Sequence, residues 1–244
     1  MKLLLVTLFV TVSRREPVMV VGQRSAPCTL EEVTTAVGSK SGKPGVRMAT
    51  GFAYAAGATG ILANCFLIAF FALQAGNPES GTSLGSANDL VGSLGTALMV
   101  PVALALSAWL PDRRLGRIAQ VLGLSAMAVL AVGGPLLVLG VLAFEVQAPV
   151  AVAAWMVLSL WLLLINRWLR LSGILLPRLA RLGEFLQGAG TLAGGASVGL
   201  GLLLPWMSAR PQLALFSVGG VFTAIGMLGT PFWFLLLGRH LGRS

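Results

Sequence analysis

The chain has 244 residues, 56% of them hydrophobic and 10% charged, with a mean hydropathy of +0.88. So few charges cannot furnish the hydrated surface of a soluble domain, and the apolar residues stand in long uninterrupted blocks, as helices solvated by lipid require. The formal charge of +9 would suggest nucleic acid as the partner of a soluble protein; here its placement is a topology signal, attraction to anionic lipid is secondary, and no nucleic-acid partner is expected.

Residues 1–47 read as a polar N-terminal tail. The opening MKLLLVTLFVTVSRREP imitates a signal peptide, with Lys2 and then an apolar run to Val12. That run is short, Arg14 and Arg15 follow at once, and no small-residue cleavage site lies close behind. From Val18 to Arg47 the chain is polar and lacks a convincing period. The tail is expected to be a disordered cytoplasmic segment; the alternatives are an artefactual extension upstream of a start at Met48, and a signal or anchor segment.

Backbone groups in hydrocarbon must be satisfied within their own segment, so each long apolar block is a predicted helix. Residues 48–244 contain six: 51–73, 90–110, 118–144, 150–166, 185–206 and 213–237. A bilayer core of about 30 Å needs roughly 20 helical residues, which all six approach. In the first span, Asn64 shares a side with Gly57 and Gly60 and is read as an interhelical hydrogen bond, the alternative being a polar contact to a substrate. Cys65 in this span and Cys28 in the tail have no redox or metal spacing, so no disulfide, metal or cofactor is expected.

Pro101 and Pro135 fall inside the second and third spans, roughly 18 and 14 Å below the outer surface at helical rise. They are read as kinks relieved by neighbouring helices, with broken helices lining a cavity as the alternative. Glu145 and Gln147, in the short connection EVQAP, are read as solvated turn residues. The fourth connection, NRWLRLSGILLPRLARLGE, is broken by Gly173 and Pro177; it is expected to lie at the interface with its arginines reaching phosphates. Asn166, Gln120 and Gln187 are expected at the cytoplasmic interface. Trp109, Trp168 and Trp233 are expected as anchors at cytoplasmic ends and Trp206 at an outer end, while Trp155 and Trp161 lie deeper. The stretch VGGPLLVLGVL (132–142) faintly echoes VGGVFTAIGML (218–228), in spans of opposite direction as an inverted repeat requires, though Gly- and Leu-rich spans also match by chance.

Sixteen of the seventeen lysines and arginines fall on one side of this arrangement, Arg210 being the exception. Basic residues stay in the cytoplasm, so both termini are expected inside and the number of spans even. Glu79, Asp89 and Glu145 then lie outside, and no charged residue falls within the six spans. Their absence argues against a proton-driven transporter, not against a carrier of apolar or neutral solutes.

The fifth span contains GAGTLAGGASVGLG (188–201). At 100° per residue, Gly188, Gly195 and Gly199 form one small-residue stripe and Gly190, Gly194 and Gly201 another, well separated from it. Such stripes let backbones approach closely, so this span is expected to be central with a neighbour on each side. The stretch also matches G-x-S-x-G at Gly195-Ala196-Ser197-Val198-Gly199, but the strand-to-helix elbow that activates such a serine is missing. The one histidine, His240, lies beyond the cytoplasmic end of the last span. Ser197 is therefore read as packing or backbone hydrogen bonding; no catalytic, cofactor-binding or metal residue is assigned, and no enzyme is expected.

From about Ala49 onward, ALMVPVALALSAWLP before an Arg-rich turn, LGVLAFEVQAP, SGILLPRLARLG and the closing PFWFLLLGRHL resemble a group of Gly/Ala/Leu-rich multi-spanning membrane proteins of actinobacteria that share a domain of unknown function. The resemblance implies a plasma-membrane bundle and no site residues. The expectation is an all-α, six-span bundle in a bacterial cytoplasmic membrane. Its leading role is a non-enzymatic accessory or scaffold subunit, with the lipid bilayer and a protein partner or second copy on its Gly-rich faces. A small transporter for a neutral or lipophilic solute is the alternative. A water-accessible midplane cavity between the second and third spans would favour transport; a filled bundle interior with an exposed Gly-rich face would favour a partner protein.

Overall fold

The computed structural model describes residues 44–76, 81–109, 114–197 and 209–243. Its elements are α1 (Pro44–Gln74), α2 (Thr82–Ser107), α3 (Arg114–Val138), α4 (Phe144–Leu171), α5 (Pro177–Phe185), a π-helical segment (Leu186–Ala193) continuing α5, and α6 (Ala209–Leu241). The protein is all-helical, and five helices, α1 to α4 and α6, are long and apolar enough to cross a membrane. The expected fifth span, 185–206, is helical as far as residue 197 and beyond that lies outside the described residues. So does the expected tail up to residue 43; α1 takes its last four residues, with Pro44 at the first helical position where its missing N–H has no cost.

Several boundaries differ from expectation, at helix starts because polar residues join helices whose apolar face is already committed and at one helix end because a glycine turns the chain. Helix α2 starts at Thr82 rather than at 90, which brings Asp89 inside it. The third span ends at Val138, six residues early, where Gly140 takes a left-handed φ of 69°. EVQAP is therefore no hairpin: Glu145 and Gln147 belong to the start of α4, with the Glu145 carboxylate favourably placed against the helix dipole. The fourth connection is likewise shorter than expected. Helix α4 runs to Leu171, Gly173 turns the chain at φ 68°, and Pro177 opens α5. Leu179, Ala180 and Gly183 of α5 are buried, so this short helix packs one face into the bundle and runs on into the π-helical segment.

The helices pack in a closed ring. Helix α1 contacts α2 and α6; α2 contacts α3, α3 contacts α4, α4 contacts α5 and the π segment, and these reach α6. Short connections make sequence neighbours antiparallel. The starts of α1, α3 and α5 thus share one end with the finishes of α2, α4 and α6. That end carries Arg47, Arg114, Arg117, Arg167, Arg170, Arg178, Arg181, Arg239 and Arg243. It is also the densely packed end: Leu106, Leu162, Ile165, Leu169, Trp233, Phe234 and Leu237 are each at most 2% exposed. Outward faces stay apolar, with Val121, Leu122, Val129 and Val132 of α3 all exposed. No more than 39% of the apolar window of any of the five long helices is buried within the bundle. Their remaining apolar surface suits lipid as solvent.

Trp233 departs from its expected interfacial place. It is fully buried between α5 and α6, its indole Nε1–H donating to the Leu179 carbonyl at 3.2 Å, so the one polar atom on the ring does not need an interface. Trp161 packs in the core, flat against Gly123, where any Cβ would lie 2.5 Å from the indole.

Both glycine stripes of the fifth span meet neighbours, on opposite sides. A Cβ on Gly190 would sit 2.8 Å from the Gly226 Cα, and one on Gly194 2.7 Å from the Gly219 carbonyl, so this stripe lies backbone to backbone against α6. Gly188 and Gly195 face Leu163 and Met156 of α4 at 3.5 and 3.3 Å. Gly199 and Gly201 lie outside the described residues. The echo between spans three and six does not place its glycines alike: Gly134 abuts α2, whereas its counterpart Gly220 faces open space. The two stripes should differ on substitution. Gly190→Ala and Gly194→Ala, which press on backbone, are expected to destabilise the detergent-solubilised protein by about 1–3 kcal/mol. Gly188→Ala and Gly195→Ala, which meet flexible side chains, should be neutral or stabilising. Thermal unfolding of the four variants checks this.

Candidate functional site

At the end opposite the arginines, the ring holds a cavity of about 270 Å³ lined by α1, α2, α3, α4 and α6. Small residues make the room: Gly60, Ala63, Gly92, Gly95, Gly134 and Ala151 all line it. Gly134 brings α3 so close to α2 that a Cβ there would lie 2.5 Å from the Asp89 carbonyl oxygen. That approach lets the Ser93 hydroxyl donate to the Leu130 carbonyl at 3.1 Å, tying the two helices together.

Asp89, Ser93 and Thr96 share a face of α2 at helical spacing and all line the cavity, with Asn88 beside them. Asp89 stands seven residues into α2, roughly 10 Å along its axis. The Asn88 amide donates to its Oδ1 at 3.3 Å. Thr96 is turned onto its own helix, donating to the Gly92 carbonyl at 3.0 Å. From α4 come Gln147 and Trp155.

Across the cavity, the Asn64 side-chain amide donates to the Met227 carbonyl at 3.2 Å. Residue 231 is proline and has no N–H, so this carbonyl has no α-helical donor four residues on. Asn64 of one helix thus supplies what α6 lacks. Gly57 and Gly60 bring the helices together there: a Cβ on Gly57 would lie 2.8 Å from the Pro231 carbonyl and one on Gly60 2.7 Å from its ring. The expected interhelical hydrogen bond is present, and its acceptor is a carbonyl orphaned by proline.

Thr230 forms the floor. Its hydroxyl donates to Gly226 O and accepts from the Gln187 amide, both at 2.7 Å. Gln187 and Asn166, expected at an interface, are instead 1% and 0% exposed. The reason is a seat for each: Gln187 has Thr230, and Asn166 lies against Gly183, where a Cβ would be 2.5 Å from its Oδ1. Asn166 donates to Leu162 O at 2.9 Å, while Asn166 Oδ1 and Gln187 Oε1 have no hydrogen-bond partner among the described residues. Asn166 is followed one turn on by Arg170, which grips Glu184 of α5 with Nε–Oε1 and Nη2–Oε2 distances of 2.8 and 3.2 Å. Polar groups therefore run from the cavity through Thr230, Gln187 and Asn166 to an ion pair at the arginine-rich end.

Other expected features stay apart from this cavity. Neither Pro101 nor Pro135 lines it; Pro231 does. The Ser197 hydroxyl donates to the Ala193 carbonyl at 2.9 Å, and His240 Nε2 lies 3.4 Å from the Ile174 carbonyl at the arginine-rich end. Gln120 donates to the Ser107 hydroxyl at 2.9 Å. Among the described residues no three His, Cys, Asp or Glu side chains converge to hold a metal. Sequence reasoning missed Asp89 because the hydropathy window begins at Leu90; the polar spacing of positions 89, 93 and 96 was the available signal. No protein-family model matches the chain, and no curated protein and no solved structure matches it.

The pairing of Asn64 with Pro231 is open to a double-mutant cycle. Asn64→Leu should cost about 0.6–2 kcal/mol, the range of interhelical hydrogen bonds in membranes. In a Pro231→Ala background the cost should shrink, because the restored N–H at position 231 takes the Met227 carbonyl. Equal losses in both backgrounds, measured by reversible unfolding in mixed micelles, would count against this account.

Proposed function

We propose that the protein is a carrier for a small polar solute, a six-span bundle in a bacterial cytoplasmic membrane with both termini inside and the cavity facing out. The single observation that carries this reading is the cavity, lined by hydrogen-bonding groups and backed by buried polar residues leading to the far end. Its volume of about 270 Å³ lies just below the roughly 300–1,000 Å³ usual for small-molecule sites, which suits a compact solute and not a lipid. Polar side chains within a membrane bundle are expensive and commonly mark a pathway. The Arg170–Glu184 pair and the apolar plug of Trp233, Phe234 and Leu162 close the arginine-rich end, so the described conformation corresponds to access from one side. The clustering of arginine at that end supports its cytoplasmic placement.

An accessory or scaffold role is supported less well, because the described glycines of both faces, Gly188 and Gly195 on one and Gly190 and Gly194 on the other, meet α4 and α6 of the same chain. No catalytic part is proposed for Ser197, whose hydroxyl is turned onto its own helix. Membership of the actinobacterial membrane group remains part of this proposal, resting on the segments ALMVPVALALSAWLP, LGVLAFEVQAP, SGILLPRLARLG and PFWFLLLGRHL.

Cysteine scanning tests the reading. In a Cys28→Ser/Cys65→Ser background, a membrane-impermeant maleimide added outside should label Asn64→Cys and Ala151→Cys and leave Leu158→Cys protected. A reporter fused after Ser244 should be active only on the cytoplasmic side. Protection of both cavity positions, or an external reporter, would overturn it.

A further inference from the structure

We infer that the solute taken by this cavity is a small organic cation, with Asp89 as its counter-charge; the inference rests on the carrier reading and adds the solute's chemical class. Asp89 is the one charged residue among the described residues lining the cavity. It is half-buried, and the neutral amide of Asn88 reaches one of its oxygens at the long distance of 3.3 Å. Apart from Arg210, near the start of α6, the arginines of the described helices stand at the opposite end of the bundle. A carboxylate partly withdrawn from water with no cationic side chain beside it in the cavity lining is costly, and a bound cation removes that cost.

The remaining lining fits the same class. Trp155 offers an indole, the best of the aromatic faces for a cation. Gln147 and Asn64 bring side-chain oxygens that accept hydrogen bonds from an ammonium or hydroxyl group. With no positive side chain among the described lining residues, the cavity disfavours an anion. Its volume of about 270 Å³ sets the size: a metabolite-scale amine or quaternary ammonium, and no long acyl chain.

The test is calorimetric binding to the detergent-purified full chain with matched probes. Choline is compared with its neutral isostere 3,3-dimethylbutan-1-ol, and guanidinium with urea. At least one cation should bind about ten-fold more tightly than its neutral match, the equivalent of roughly 1.4 kcal/mol. Asp89→Asn should abolish that preference by bringing the cation's affinity down to that of its neutral match, and it should not lower the unfolding temperature. Equal binding of a cation and its match, loss of both in Asp89→Asn, or no binding of any cation by a protein whose Ala151→Cys position is labelled from outside, would overturn the cation assignment and leave the carrier reading standing. Protection of Ala151→Cys and Asn64→Cys, with no probe bound, would remove both.

Discussion

The whole arrangement depends on how closely the π segment and the residues just after it approach α6. In lipid there is no hydrophobic drive to bring one helix against another, so association rests on dispersion and hydrogen bonds at short range. Gly190 and Gly194 remove the side chains that would hold the π segment off, and Gly226 answers from α6, where a Cβ would lie 2.8 Å from the Thr191 nitrogen. Once α6 is seated there, the ring closes against α1. Its seating presents Pro231 to Gly60, the Met227 carbonyl to Asn64 and Thr230 to Gln187. The cavity floor and one of its walls derive from this one contact.

The two ends of the bundle are built from different chemistry. Towards the arginines, large side chains interdigitate and Trp233 fills the space between α5 and α6. Towards the other end, glycine and alanine predominate at the inner faces, and the volume they leave is bordered by hydroxyls, amides and a carboxylate. A bundle packed for rigidity alone would fill such a volume with leucine, since buried polar groups left partly unpaired destabilise. Asn166 Oδ1 and Gln187 Oε1 are both buried without a partner among the described residues, below the floor of the cavity.

The π segment, Leu186–Ala193, belongs to the same region. A π turn widens the helix and shifts the register of the residues after it, and such turns recur at functional sites. Here it carries Gln187 and Thr191, both buried, and Gly190, one of the two glycines that grip α6. The hydroxyl of Thr191 accordingly reaches back five residues to the Leu186 carbonyl at 3.4 Å, where a regular helix would offer the fourth.

Hydropathy alone determined the class, because apolar blocks of this length have no other stable solvent than lipid and no other lipid-stable backbone here than helix. Helical geometry alone also predicted the two glycine stripes and their two neighbours, and the interhelical role of Asn64, since both derive from angular position about one axis. Helix ends were less legible: Asp89, Glu145 and Gln147 are polar, so averaging placed them in loops, although a helix with one face already packed extends through polar residues at little cost. What only the tertiary structure decided was burial of the uncommon polar side chains. Asn166, Gln187 and Trp233 sit near helix ends and look interfacial in isolation, but each is accommodated by a residue distant in sequence, Gly183, Thr230 and Leu179 respectively. The cavity belongs to the same category, because its lining is drawn from five helices and no single stretch of chain contains the pattern.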